Sequence, residues 1–261
     1  MTDNPTIETS TLTSTDGLTS HHAIIVLAGG LSRRLGEPKQ LLCKNGEPLI
    51  THMVKLALST KPQAIVIVIP NDDSVTEAQS SITKRLQSAL KPLATSYASI
   101  HTVINPIPET GMAQSLNLAI EAIKRLVNVS IEQVLIMAVD QVLLDKAHLM
   151  ALLTGSRKVV ASSYVYDDDV AGDDDGQQID REKDKRQTIK PPKDIIGIPL
   201  VIDYKQLKCW QASLIGDKGL RSVIRELPSN DIFTVKNNQL SYDIDTPKQL
   251  IYAKQQGWLD K

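Results

Sequence analysis

The chain has 261 residues, 41% hydrophobic and 3% aromatic, with a formal net charge of −1 at pH 7. That length holds one large α/β domain or two small ones, and so few aromatics require a core of Leu, Ile, Val and Ala, as under a helix-covered parallel sheet. The near-neutral balance supplies no global field for nucleic acid or an anionic membrane, so an anion must be held by a local cluster.

The start of the chain, Met1–Ser20, is rich in Thr and Ser and has no apolar signal-peptide segment. It reads as a disordered tail ahead of a single domain over 21–261. No apolar run approaches the ~18 residues needed to cross a bilayer. Cys43 and Cys209 are the only cysteines and offer neither a disulfide framework nor metal-ligand spacing. They fit a reducing, cytoplasmic setting. The pair His21-His22 has no third ligand nearby in sequence and is read as incidental.

The first predicted strand, Ala23–Leu27, stops at Ala28-Gly29-Gly30, and Ser32, Arg33, Arg34, Gly36 and Lys39 follow. Glycine allows positive φ and close approach of a ligand to the backbone. Successive N–H groups form an anion-binding concavity, and Arg and Lys add charge-assisted bonds to phosphate oxygens. A strand ending in this sequence reads as a polyphosphate loop, the alternative being a strand followed by an ordinary basic turn. It is not a Walker A loop, because Gly30 to Gly36 is too long a gap and no Ser or Thr follows Lys39. It is not a Rossmann fingerprint either, because G-x-G-x-x-G is absent.

Further along, helical patterns at Leu49–Ser59, Val75–Leu90 and Ala113–Leu126 alternate with strand candidates Ala64–Ile69, Ile100–Ile104 and Gln133–Ala138. Strands at Lys158–Ala161, Ile195–Val201 and Ile232–Val235 come later. Strand–helix–strand repeats imply right-handed crossovers and a mostly parallel central sheet in an α/β fold, with ligands bound beyond the carboxyl ends of the strands. From Asp167 to Arg186 the chain is almost devoid of apolar residues, so about 166–190 reads as a disordered acidic insertion.

Several residues along this path have the chemistry for a site. Asp140 stands at the carboxyl end of the apolar run Leu135–Val139, where a carboxylate can hold Mg²⁺ together with phosphate oxygens and water. It could equally begin a turn. Asn105-Pro106 and Gly111 lead into a helix whose first turn carries Ser115, at an end that favours anions; helix capping competes as an explanation. In Asp243-Ile244-Asp245-Thr246-Pro247, either Asp245 or Thr246 can cap a helix with Pro247 in its first turn. Gly216-Asp217-Lys218-Gly219-Leu220-Arg221 offers another possible N-cap in Asp217.

The pattern L-A-G-G-x-S-x-R-x-G-x-x-K resembles the signature of nucleotidyltransferases that activate sugar phosphates, isoprenoid precursors and molybdopterin. Gly36-Glu37-Pro38-Lys39-Gln40-Leu41-Leu42 most resembles the molybdenum cofactor cytidylyltransferase branch of the MobA-like NTP transferases. The resemblance spans roughly Ala23 to Gln256, apart from the acidic insertion. It implies a three-layer, Rossmann-like nucleotidyltransferase fold. It implies nucleotide contacts at Leu27, Ala28, Gly29, Gly30, Ser32, Arg33, Lys39, Asn105 and Ser115, with Arg33, Lys39 and Asp140 catalytic. It makes Asp140 and Asp245 the Mg²⁺ ligands, Asp245 being preferred to Asp243. Val139 and Val142 depart from the family's G-D-x-P segment, and Leu220 departs from its G-D-x-G-A-R segment, which with Gly197 and Pro199 is expected to face the second substrate.

The implied reaction moves a nucleoside monophosphate from an NTP to the phosphate of molybdopterin and releases pyrophosphate, with a molybdoenzyme as a possible partner and neither nucleic acid nor membrane. CTP is favoured by Gly36–Gln40 and Gly216–Gly219, whereas Gly29, where cytidylyl relatives usually carry alanine, resembles the guanylyl branch. A nucleotidyltransferase acting on sugar phosphates or other small molecules, and a non-catalytic nucleotide- or cofactor-binding chaperone for a molybdoenzyme, are the other classes compatible with these residues.

Overall fold

The computed structural model describes residues 21–72, 81–127, 129–166 and 193–261. The tail expected at 1–20, nearly all of the expected insertion and the first part of the helix expected from Val75 lie outside the described residues.

In chain order the elements are β1 (His22–Leu27), β2 (Cys43–Lys44), β3 (Glu47–Pro48), α1 (Leu49–Leu58), β4 (Ala64–Pro70), α2 (Ile82–Ser96), β5 (Ile100–Asn105), α3 (Met112–Lys124), β6 (Gln133–Ala138) and α4 (Lys146–Leu153). They continue with β7 (Val159–Tyr166), β8 (Lys193–Asp203), α5 (Tyr204–Trp210), α6 (Arg221–Arg225), β9 (Ile232–Lys236) and α7 (Pro247–Gln255). The small strands β2 and β3 form a separate hairpin, and among the described residues the central sheet has seven strands in the order β5-β4-β1-β6-β8-β7-β9. Strand β8 pairs antiparallel with both β6 and β7, while the remaining pairings are parallel. The expected mostly parallel α/β sheet is therefore present.

Strands β1 and β4 are buried along their whole length, which is why they read as unbroken apolar runs. Successive side chains point to opposite faces. Ile24 and Val26 join a core with α1, α2, α4 and α7, and Ala23, Ile25 and Leu27 join a second core with α3, α5 and α6. Helices on both faces complete three layers.

Some boundaries differ from expectation for identifiable reasons. Helix α2 runs through Pro92 to Ser96, past the expected end at Leu90. Pro92 lies on the exposed face, where the carbonyl it leaves unbonded can reach water. Strand β7 continues beyond Ala161 through Ser162 and Ser163. Buried Ser162 is satisfied because its hydroxyl donates to Pro199 O at 2.6 Å and meets His148 Nε2 at 2.8 Å. Helix α4 was not anticipated; its N-cap Asp145 accepts from the His148 N–H. His22, read as incidental, is buried against Thr60 Oγ1, and burial lowers its pKa to about 4. No described helix is long and apolar enough to cross a membrane.

Candidate active site

The chain runs from β1 outward to β4 and β5, then returns to the other side of β1 with β6. Such a reversal of strand order opens a crevice at the carboxyl ends of the strands. The parallel register pairs Leu27 with Ala138. The glycine loop after β1 and Asp140 after β6 therefore emerge side by side.

The loop is held by its own polar groups. Ala28 N–H donates to Val68 O at 2.9 Å. Ser32 adopts positive φ of 54°, and its carbonyl accepts from the Leu35 and Gly36 N–H groups. Its hydroxyl accepts from the Lys39 N–H at 3.1 Å. Gln40, buried beneath the loop, donates Nε2 to both Ala28 O at 2.8 Å and Gly30 O at 2.6 Å. These bonds satisfy two loop carbonyls from beneath. Behind the loop, a Cβ on Gly29 would lie only 2.6 Å from Ser115 Oγ, which accepts from Asn105 Nδ2 at 3.1 Å. Asn105 Oδ1 in turn accepts from Ile107 N–H.

The charged centre joins three segments. Lys39 Nζ donates to Asp140 Oδ2 at 2.5 Å and to Asp245 Oδ1 at 2.7 Å, and Arg34 Nη2 donates to Asp245 Oδ2 at 2.9 Å. Asp245 is available because Thr246 takes the capping role for α7, forming a capping box with Gln249, while Gln249 Oε1 accepts from the Asp245 N–H. Burial would depress the Lys39 pKa, but the charges and hydrogen bonds of Asp140 and Asp245 outweigh it and hold the ammonium above its usual range. Burial would likewise raise Asp245, and Lys39 and Arg34 outweigh it to hold this carboxyl low. Asp243 has the opposite outcome: burial, then the charges of Asp140 and Asp245, push it up to about 6.

Beside these groups lies a cavity of about 500 Å³, lined by Leu27, Lys39, Asp140 and Asp245, by β8 residues such as Ile196 and Ile198, and by Asp217 and Arg221. A smaller pocket of about 190 Å³ lies against Gly30, Ser32, Arg33 and Arg34 and shares Lys39 and Asp245 with the larger one. The fold thus brings Leu27, Gly30, Ser32, Arg33, Lys39, Asp140 and Asp245 together around these two spaces. Ala28, Gly29, Asn105 and Ser115 are buried and line neither space; the last two stand behind Gly29. Val139 and Val142, which replace the family's glycine and proline, are core residues around the Asp140 turn.

Sequence reasoning did not single out Gln40, Arg34 as the partner of Asp245, or Tyr164 and Arg221 in the cavity wall. The first two lay within the recognised loop, and Arg221 within the Gly216–Arg221 segment. Tyr164 carried no local signal.

A helix-flanked sheet with a glycine loop at the crevice is an arrangement this chain shares with solved nucleotidyltransferases. A nucleotidyl transferase from Methanothermobacter thermautotroptrophicus has a TM-score of 0.61 to this chain at 17% identity, covering 91% of this chain and 97% of that one. A Mycobacterium tuberculosis structure in complex with manganese has a TM-score of 0.52 at 14% identity, covering 84% and 89%. At these identities the likeness is one of fold. The sequence defines the family: the MobA-like NTP transferase domain matches residues 24–231, and the chain belongs to that family. A probable molybdenum cofactor guanylyltransferase from Bacillus cereus (strain AH187) is 48% identical over 48 residues, 18% of this chain and 24% of the relative. The match spans about a quarter of that relative's length.

Proposed function

We propose that this protein is a Mg²⁺-dependent nucleotidyltransferase that moves a nucleoside monophosphate from CTP or GTP to the phosphate of molybdopterin and releases pyrophosphate. The observation that carries this reading is the placement of Lys39 between Asp140 and Asp245 at the mouth of the glycine loop. Positioning and charge neutralisation dominate phosphoryl transfer, and this site offers both.

Gly30, Ser32 and Arg33 hold the triphosphate in the smaller pocket, with Gly29 and Ala28 keeping the backbone close. Ser115 and Asn105 set the shape of that wall from behind Gly29. An oxygen of the acceptor phosphate attacks the α-phosphorus, and the bond to the bridging oxygen of pyrophosphate breaks. The acceptor oxygen is already ionised, so no protein base is required. Lys39 faces the charge that develops on the phosphoryl oxygens. Asp140 and Asp245 direct hard carboxylate oxygens at one point that a cation, the Lys39 ammonium, already occupies. This donor set suits Mg²⁺, which takes one or two carboxylates together with substrate oxygens. Bound to these carboxylates in place of the ammonium, the metal would neutralise phosphate charge and leave Lys39 to the phosphoryl oxygens.

The sequence of Gly36–Gln40 favours CTP, and the curated guanylyltransferase relative favours GTP. Gly29 does not decide between them, because its missing Cβ is accounted for by Ser115. The test is pyrophosphate release with CTP, GTP, UTP and ATP, with and without molybdopterin and Mg²⁺. Release that needs molybdopterin and Mg²⁺ with CTP or GTP supports the assignment. Release with sugar phosphates instead would move the acceptor, and nucleotide binding without release would make the protein a carrier.

A further inference from the structure

Two lysines of one short segment grip the same turn. Lys39 Nζ donates to the Asp140 carboxylate at 2.5 Å, and Lys44 Nζ donates to the backbone carbonyl of Val142 at 2.5 Å. The segment 39–44 thus straddles the turn that carries Asp140. Lys44 is half-buried, and among the described residues no carboxylate forms an ion pair with it. Its ammonium is committed to a carbonyl just past the candidate metal ligand.

Lys44 is itself held in place. It stands in β2, and the hairpin turn that follows it, Asn45-Gly46, has positive φ at both residues, 55° and 78°. The N–H groups of Asn45 and Gly46 donate to the two carboxylate oxygens of Asp260 at 2.9 and 2.7 Å, and the Asp260 N–H donates to Cys43 O at 2.9 Å. The Leu49 N–H closes the base of the hairpin on Leu42 O at 2.8 Å. A backbone fixed at both ends aims the Lys44 stem at the Asp140 turn.

The other side of that turn is tied to β8. Gln141 is buried; its Oε1 accepts from the Ala138 N–H and its Nε2 donates to Ile198 O at 2.7 Å. Val142 stands where the family resemblance implies a proline, so the fixed φ of a proline ring is absent here, and the bond from Lys44 restrains the same residue. Among the described residues the Asp140 carboxylate is held by Lys39. When a metal takes the place of that ammonium, this hold is given up, whereas the bond from Lys44 to the backbone remains.

We propose that Lys44 is a positioning residue: its bond to Val142 O fixes the Asp140 turn against the glycine-loop segment and keeps the carboxylate aimed at the metal once Lys39 serves the phosphoryl oxygens. The inference takes its metal from the nucleotidyl-transfer reading above and its geometry from the Lys44–Val142 contact. Groups that orient a metal ligand typically contribute about 10–100-fold in metal affinity or activity.

The experiment compares Lys44→Met, which keeps the apolar stem, and Lys44→Arg, which keeps a charged donor, with wild type and with Thr60→Val. Thr60 bonds His22 at the amino end of β1, so the last variant lowers stability at a distance from the turn. Binding of Mn²⁺ alone to the full-length protein is followed by electron paramagnetic resonance, and hydrogen exchange of the Val142 and Leu144 amides is followed without metal. Lys44→Met should bind Mn²⁺ about tenfold or more weakly and exchange these turn amides about tenfold faster. It should lower kcat for pyrophosphate release about tenfold with KM for NTP changed less than about twofold, because the triphosphate pocket is lined by Gly30, Ser32 and Arg33. Lys44→Arg should recover part of each loss, and Thr60→Val should keep Mn²⁺ affinity within about twofold of wild type. Unchanged exchange at Val142 and Leu144 in Lys44→Met overturns the proposal. Where wild type binds Mn²⁺, unchanged affinity in Lys44→Met, or equal losses in Lys44→Met and Thr60→Val, overturns it as well. If wild type binds no Mn²⁺ while Lys44→Met still exchanges faster at the turn, the metal reading fails and Lys44 stands as the restraint on the Asp140 turn.

Discussion

Lys39 Nζ stands 2.5 Å from Asp140 Oδ2, although the two residues are 101 positions apart in the chain. The pairing of β1 with β6 creates this contact, because Leu27 beside Ala138 brings the two strand ends together. Asp245 completes the group from a third segment at 2.7 Å. The ammonium separates two carboxylates that would otherwise repel each other, and its affinity for its proton is raised by them against the opposing effect of burial.

Replacing Lys39 with alanine is expected to lower turnover at least about a hundredfold, the usual effect of removing one charge-stabilising group. It should also destabilise the metal-free protein at pH 7 by about 1–3 kcal/mol, since two partly buried carboxylates lose their counter-charge. Asp140→Ala should match the loss in turnover. Steady-state rates and denaturant unfolding in EDTA check both.

Asp243 gives a pH signature. Its carboxyl is raised from 3.8 to about 6 by burial and by Asp140 and Asp245. A carboxyl raised on folding favours the folded state below its unfolded pKa, and that contribution disappears as pH rises through the folded value. Asp243→Asn should therefore remove a decline in stability between pH 4 and 6 and leave the metal-free protein more stable than wild type at pH 7 by about 1–3 kcal/mol. Asp245, held low, has the opposite sign: its contribution is present above pH 3.8 and is lost as the solution is acidified below that. Unfolding free energies measured from pH 3 to 8 for wild type and Asp243→Asn separate the two groups.

Gly29 and Ser115 form a coupled pair. A methyl at 29 meets Ser115 Oγ at 2.6 Å but Ser115 Cβ at 3.7 Å, an ordinary contact. Gly29→Ala should cost about 1–3 kcal/mol, as overpacking does. Adding Ser115→Ala should restore most of that loss, at the expense of the Asn105 bond. A double-mutant cycle by chemical denaturation measures the coupling.

Gln40 acts as a clamp. Replacing it with leucine leaves Ala28 O and Gly30 O without their shared donor, so the loop should loosen. Expected effects are a loss of about 1–2 kcal/mol in stability and a KM for NTP raised roughly tenfold with a smaller change in kcat. Calorimetric unfolding and initial-rate kinetics check the two together.

Much of this arrangement is legible in the sequence, for physical reasons. Strands buried on both faces, such as β1, β4 and β6, must be continuous apolar runs, and the loop chemistry at Gly29–Lys39 requires particular residue types in a short span. Asp140 and Asp245 stand out as carboxylates at element ends. The capping box explains why Asp245 rather than Thr246 is left for the site, a choice local sequence leaves open because both can cap. The closeness of Ser115 to Gly29, the reach of Gln40 under the loop and the meeting of Tyr164 and Arg221 in one cavity wall depend on how distant elements pack. No periodicity or spacing encodes a contact across the sheet. Helix α4 escaped because its eight residues are mostly apolar with little amphipathic contrast.

The central claim is that the loop and its carboxylates move a nucleoside monophosphate onto a phosphorylated acceptor. The most direct measurement is pyrophosphate release by wild type and Lys39→Ala, with molybdopterin, Mg²⁺ and CTP or GTP. The account predicts release by wild type that requires the acceptor and the metal, and a fall of at least about a hundredfold in the variant. Near-wild-type release by Lys39→Ala, or no release by wild type with either nucleotide, would contradict it.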